Sequence, residues 1–171
     1  IYTLSLHDAL PISVGEWKEW YENNVVKMSG VFDNSGTGTH NWFYKNGDKC
    51  AEFNTAHGLL DGKAEGWYDN GNLFFSGGYK KGKINGLWKI YFANGNKKIE
   101  VEFKDGVISS ALKIWGKNGE IKENLPFSLA EAMVNKSKSR EYERKLKENY
   151  DINLLYNYNY RNNLGHDFPH N

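Results

Sequence analysis

Residues 77–106 read GGYKKGKINGLWKIYFANGNKKIEVEFKDG. An Asn-Gly pair at 94–95 stands between two runs with β-strand character, Leu87 to Phe92 and Lys97 to Phe103. Asn-Gly in that setting is the strongest short signal of a β-hairpin, because a type I′ turn needs positive φ at both central residues and these two types tolerate it. In the second run Ile99, Val101 and Phe103 share one parity, while Lys98, Glu100 and Glu102 share the other, which predicts a strand with one buried and one wet face. Lys-Lys-Gly at 80–82 and Lys-Asp-Gly at 104–106 supply turns to the neighbouring strands.

The same stretch returns along the chain. Asn-Gly occurs at 46–47, 70–71, 94–95 and 118–119, a constant spacing of 24. Asn46, Gly47, Asn70, Gly71, Asn94, Gly95, Asn118 and Gly119 are therefore the expected structural turns. An aromatic precedes each turn by three residues (Phe43, Trp67, Tyr91, Trp115), followed by a second at Tyr44, Tyr68 and Phe92, with Gly116 breaking that series. Nine residues after each Asn come Thr55, Tyr79, Phe103 and Phe127, and two glycine rows (Gly38, Gly62, Gly86 and Gly58, Gly82, Gly106) keep the same period. A degenerate copy lies upstream: with Asn23 at the turn, Gly15, Trp17, Trp20, Tyr21 and Phe32 occupy the slots of Gly86, Trp88, Tyr91, Phe92 and Phe103. Asn24 then stands for the turn glycine, which its access to the left-handed region allows. Five units result, the first one residue short.

Consecutive aromatics on a strand point to opposite faces, so one row joins the core and the other lies on the outer face of the sheet. The outer ladder, Trp20, Phe43, Trp67, Tyr91 and Trp115, is the candidate interaction surface. Cross-strand stacking that stabilises a thin sheet is the other use of such a ladder.

The pattern G-x-W-x-x-Y-[FY]-x-N-G, with a Tyr or Phe nine residues past the Asn and glycines beyond, resembles the MORN repeat, in particular the bacterial MORN repeat variant. The resemblance covers residues 15 to about 127 and is best over 77–98. It implies an elongated, curved sheet of hairpins used for protein–protein contact, with membrane-lipid binding proposed for some relatives. Proteins with these variant repeats are often described as antitoxins of toxin–antitoxin systems, and others occur in bacteria, protists and large viruses. The repeat itself carries no antitoxin motif.

Sequence outside the repeats reads differently. Residues 2–13, YTLSLHDALPIS, resemble the in-frame translation of a sequencing adapter, so residues 1–13 are expected to be an artefact and the native N-terminus to be missing. After Phe127, Ser128 and Glu131 form a capping box, and residues 128–150 hold no Gly or Pro, predicting a helix with Leu129, Met133, Tyr142, Leu146 and Tyr150 on its apolar stripe. Capping the last strand edge and binding a partner are both open to such a helix. Residues 151–171, rich in Asn and Tyr, read as a flexible tail.

The expected architecture is thus all-β: an elongated single antiparallel sheet of tandem 24-residue β-hairpin repeats over 14–127, with a C-terminal helix. The composition agrees, with 18 Gly, 6 Trp, 11 Tyr and 9 Phe in 171 residues. A net charge of +1 speaks against electrostatic binding to nucleic acid. Cys50, the only cysteine, permits no intrachain disulfide and leans toward a reducing, cytoplasmic location. No catalytic constellation is legible: the glycine-rich stretches lack a P-loop Lys-Ser pair, His40 occupies a strand slot held elsewhere by Trp or Ala, and the acidic residues beside turns have local roles. His166 and His170 flank Asp167, a poor basis for a metal site. The expectation is a non-catalytic scaffold with no cofactor or metal that binds an unidentified protein partner, with an antitoxin-like role as one form of it. The alternative is a peripheral module binding membrane phospholipid.

Overall fold

The computed structural model describes residues 14–128. The adapter-like residues 1–13, the expected helix beyond Ser128 and the expected tail lie outside the described residues. Twelve strands form one antiparallel sheet: β1 (Gly15–Trp20), β2 (Val26–Phe32), β3 (Gly38–Phe43), β4 (Lys49–Ala56), β5 (Leu59–Trp67), β6 (Leu73–Lys80), β7 (Lys83–Ile84), β8 (Gly86–Tyr91), β9 (Lys97–Lys104), β10 (Val107–Ile108), β11 (Leu112–Trp115) and β12 (Ile121–Leu125). The sheet runs in chain order from β1 to β12, with β7 and β10 as short leading pieces of the strands that continue as β8 and β11. Each 24-residue unit is one hairpin with an incoming and an outgoing strand, and each outgoing strand pairs with the next incoming one. The sheet is open, with β1 and β12 at its ends.

The turns exchange places relative to the expectation. Only the glycines of the four Asn-Gly pairs have positive φ (93° at Gly47, 81° at Gly71, 85° at Gly95, 83° at Gly119); Asn46, Asn70, Asn94 and Asn118 do not. Gly47 N–H donates to Tyr44 O at 2.9 Å and Tyr44 N–H to Asp48 O at 2.8 Å, with the same pair of bonds in every unit. That is a type I turn closed by a glycine bulge, not type I′, and the strand register shifts at the same slot in all five hairpins. The asparagine is needed for its side chain: Asn46 Oδ1 accepts Asp48 N–H at 3.0 Å and Asn70 Oδ1 accepts Asn72 N–H at 3.0 Å. In the first unit Asn24 takes the left-handed slot at φ 62°, as its sequence position suggests. Paired positive φ, the mark of a type I′ turn, occurs between units instead, at His57-Gly58, Lys81-Gly82 and Asp105-Gly106.

Core residues line one face of the sheet, where cross-strand partners share a fixed volume. Trp17 faces Gly30, Trp42 faces Ala51, Gly66 faces Phe75 and Ile90 faces Ile99. A Cβ at Gly66 would intrude on the Phe75 ring, and one at Gly77 would intrude on Trp88. Phe75 and Trp88 stack at 5.6 Å between centroids, and Trp42 meets Phe53 edge-on at 5.2 Å. His40, 5 % exposed, continues this file between Phe32 (4.5 Å) and Trp42 (5.4 Å). Its Nδ1 has no hydrogen-bond partner, and burial pulls its pKa down to about 4. Phe127 departs from the row of Thr55, Tyr79 and Phe103: those three are buried, whereas Phe127 is exposed past Pro126.

Side chains also staple unit to unit at the turn end. Tyr21, Tyr44 and Tyr68 donate their hydroxyls to Phe43 O, Trp67 O and Tyr91 O of the following unit, each at 2.7 Å. Asn23 donates to Lys45 O, Asn70 and Asn72 to Ala93 O, and Asn94 and Asn96 to Lys117 O. Phe92 has no hydroxyl, so the last junction relies on the asparagines.

Three outcomes test this picture. Gly71→Ala is expected to cost about 1–2 kcal/mol in urea unfolding, whereas Lys81→Asn, at a left-handed position, stabilises by several tenths of a kcal/mol or more, about 1 at most. Gly66→Trp and Phe75→Ala each destabilise, by roughly 1–3 and 3–5 kcal/mol. Combined, they recreate the Trp42/Ala51 arrangement and recover a large part of the loss; a strictly additive double mutant would refute the shared-volume account. The unfolded chain takes up the His40 proton below about pH 6.5 and the folded protein only below about 4. Its stability is therefore complete above that window and falls as pH drops through it, by up to about 3 kcal/mol. His40→Phe should flatten this limb in urea titrations between pH 7 and 4.

Candidate functional site

The face opposite the core carries the row singled out from the sequence. Trp20, at the end of β1, is 57 % exposed, whereas Phe43, Trp67, Tyr91 and Trp115 are half-buried. These residues stand just before the bulged turns, so the same backbone irregularity places each of them. The glycine bulge fixes the slot and strand alternation fixes the face, opposite Trp42, Gly66, Ile90 and Ile114. The second aromatic row, Tyr21, Tyr44, Tyr68 and Phe92, sits toward the core. Burial raises the Tyr44 and Tyr68 hydroxyls, the latter to about 12, and neither is available as a base.

Between the outer aromatics run ion pairs that the sequence reading did not assemble. Lys49 meets Glu52 at 2.7 Å and Lys63 meets Glu65 at 2.8 Å. Glu100 is held by Lys97 at 2.7 Å and Lys113 at 3.6 Å. The Lys97 hydrogen bond, with the charges of Lys97 and Lys113, keeps the Glu100 carboxyl below its usual range. The Lys97 ammonium also lies over the Trp115 ring, 4.6 Å from its centroid.

One parity expectation needs correction. Glu100 and Glu102 do alternate with Ile99, Val101 and Phe103, but Lys98 does not join them. The bulge between the Ile90↔Ile99 and Tyr91↔Lys97 pairs inserts a residue, so Lys97 reaches Glu100 while the Lys98 ammonium lies over the Phe92 ring at 5.7 Å. Lys98 occupies the slot of buried Cys50 and Phe74. A strand pair at i and i+3 shares a face only across such a bulge, and Lys49–Glu52 repeats the pattern. That repeated Lys-x-x-Glu after the turn was the available signal.

The Cys50 thiol is buried and pushed up to about 12, which suits packing and not nucleophilic chemistry. Among the described residues no group of three or more His, Cys, Asp or Glu is placed to hold a metal ion. No helix among them is long and apolar enough to cross a membrane. What the geometry offers is a ribbon of regularly spaced rings set among Lys–Glu contacts, suited to contact over an area.

The profile of the MORN repeat variant matches residues 13–34, 60–81 and 84–105, which carry the first, third and fourth hairpins. No curated protein shows significant similarity to the chain. Repeats of this type are generally protein- or membrane-interaction modules and are non-enzymatic as a family. The three matched segments each fold as one bulged hairpin of a continuous sheet, and they are MORN repeats of the variant type.

Proposed function

We propose that the chain is a non-catalytic cytoplasmic scaffold that binds a protein partner through its outer aromatic row, Trp20, Phe43, Trp67, Tyr91 and Trp115. The observation that carries this reading is the placement of these rings beside Lys–Glu contacts, in which Lys49, Lys63 and Lys97 each meet a carboxylate and Glu100 also meets Lys113. Aromatic rings held rigidly on a strand lose little entropy on contact and are the residues that dominate protein interfaces. The paired lysines weigh against the phospholipid reading, because a lysine already neutralised by Glu52, Glu65 or Glu100 adds little attraction for an anionic surface. In its antitoxin-like form the partner is a toxin protein neutralised by the bound scaffold, in keeping with what is often said of proteins bearing these repeats.

The intact chain should therefore retain a defined protein from a lysate of its source. Replacing Trp67, Tyr91 and Trp115 together by Ala should weaken that complex by about 30-fold or more, the scale of a loss exceeding 2 kcal/mol. Unchanged affinity in the triple variant, with unaltered circular dichroism, would remove the aromatic row from the reading. Co-sedimentation with anionic vesicles is expected to stay at background at low salt, and binding there would favour the phospholipid reading.

A further inference from the structure

We propose that Asn46 is a site of spontaneous modification, losing its side-chain amide through a succinimide to become aspartate or isoaspartate, ahead of the equivalent Asn70 and Asn94. In an Asn-Gly pair the glycine nitrogen, once its proton has passed to solvent base, can attack the asparagine Cγ. A new C–N bond closes a five-membered imide, the Cγ–Nδ2 bond breaks, and the nitrogen leaves as ammonia after taking a proton from solvent. Water then opens the imide at either carbonyl, giving aspartate or isoaspartate. Glycine favours the attack because it has no Cβ to hinder the approach. Asn46, Asn70 and Asn94 all precede glycine and all have a described hairpin on either side, so their surroundings decide between them.

Two restraints are common to the three turns. Gly47, Gly71 and Gly95 donate their N–H to Tyr44 O, Tyr68 O and Phe92 O at 2.9, 3.0 and 2.8 Å, so the attacking nitrogen is occupied until the turn opens. Each Asn Oδ1 accepts the N–H two residues on, at 3.0 to 3.1 Å. The amide nitrogens differ. Asn70 Nδ2 donates to Ala93 O at 2.8 Å and Asn94 Nδ2 to Lys117 O at 2.9 Å, so swinging either side chain toward its glycine breaks a bond to the next unit. Asn72 and Asn96 add a second bond to the same carbonyls, each at 2.7 Å. Asn46 Nδ2 donates instead to Asp48 Oδ2 at 2.9 Å, within its own turn, and the Asp48 carboxylate has no proton to donate across the junction.

Exposure follows the same order. Residues 45–49 are all exposed, whereas Asp69 beside Asn70 is half-buried, as are Ala93 and Asn96 around Asn94. The turn at Asn94 is also held from both sides, since Ala93 O belongs to it; the turn at Asn46 receives one amide bond, from Asn23 to Lys45 O at 3.2 Å. Two ordinary hydrogen bonds to the next unit slow the opening of a turn by about tenfold or more. The Asp48 carboxylate opposes the reaction by disfavouring loss of the Gly47 proton, but between exposed groups in water this is roughly a few-fold effect. The missing amide bonds therefore outweigh the carboxylate.

The folded full chain, incubated in mildly alkaline buffer and cut by chymotrypsin into 45–53, 69–74 and 93–103, reports each site by mass, and isoaspartate-specific methyl transfer identifies the product. Asn46 is expected to convert about tenfold faster than Asn70, with Asn94 slowest, whereas in urea the three convert at similar rates. Asp48→Asn supplies the second amide and should slow Asn46 by about tenfold; Asn72→Asp removes it from the next turn and should speed Asn70 by about fivefold. Charge alone would have the opposite sign in both variants. Equal rates at the three sites of the folded chain overturn the proposal, as does an inert Asn46 while the unfolded chain converts. Should circular dichroism show that Asp48→Asn does not fold, Asn72→Asp decides, and an unchanged or slower Asn70 overturns it.

Discussion

One sheet with no second layer among the described residues must find its packing volume sideways. In a sandwich an undersized residue is covered from the facing sheet; in this chain the only neighbours on the core face are one strand to either side and the units beyond. Aromatic rings solve the problem because they are long enough to lie flat over an adjacent strand, provided that strand carries glycine or alanine where the ring lands. Gly66 beneath Phe75 and Gly77 beneath Trp88 are such landing sites. The cost is a strict dependence between units: Trp88 belongs to the fourth hairpin and Gly77 to the third, so neither hairpin has a complete core alone.

The aromatic solution weakens toward the C-terminal end. There Ile90, Ile99, Val101, Leu112 and Ile114 fill the slots that Trp42, Ala51, Phe53, His40 and Trp42 fill earlier, and the pairs become evenly sized. His40 is the exception in chemistry but not in shape, since its ring continues the file between Phe32 and Trp42. Nothing titratable among its ring contacts offers a charge to offset its protonation, which is why burial alone sets its behaviour.

The period, the number of units and the hairpin in each were legible because Asn, Gly and aromatic residues recur at a fixed spacing, and the register of a hairpin follows from its turn. The turn type was not. Asn-Gly serves both a type I′ turn and a type I turn with a glycine bulge, and only the backbone decides whether Asn is wanted for its φ or for its side chain. The segments 80–82 and 104–106 were legible as turns, but not as the type I′ sites, because residues such as Lys81 and His57 are poor markers of the left-handed region. The bulge then shifted parity by one residue, so the strand alternation that correctly placed Ile99, Val101 and Phe103 misplaced Lys98. The exchange of large and small partners was invisible for a related reason: Trp42 with Ala51 and Gly66 with Phe75 become pairs only once the register is known. The outer row could be named from the sequence, but its Lys–Glu setting could not, because those contacts cross the same bulge.

The length of the outer row bears on what it can bind. Neighbouring strands lie about 4.8 Å apart, so successive two-strand units repeat at roughly 10 Å, and five aromatic slots span about 40 Å. A ribbon of that length and about 20 Å width offers close to 800 Å², the contribution of one partner to a standard protein–protein interface. A small molecule would use a fraction of it, and a single unit would offer too little for stable association. Repetition therefore has a mechanical reason. Four of the five rings are half-buried and Trp20 is exposed, so under the proposed reading a partner that spans several units would meet a Trp, Tyr or Phe at every step. Affinity would then depend on how many rows remain in register, which the Tyr and Asn staples between units maintain.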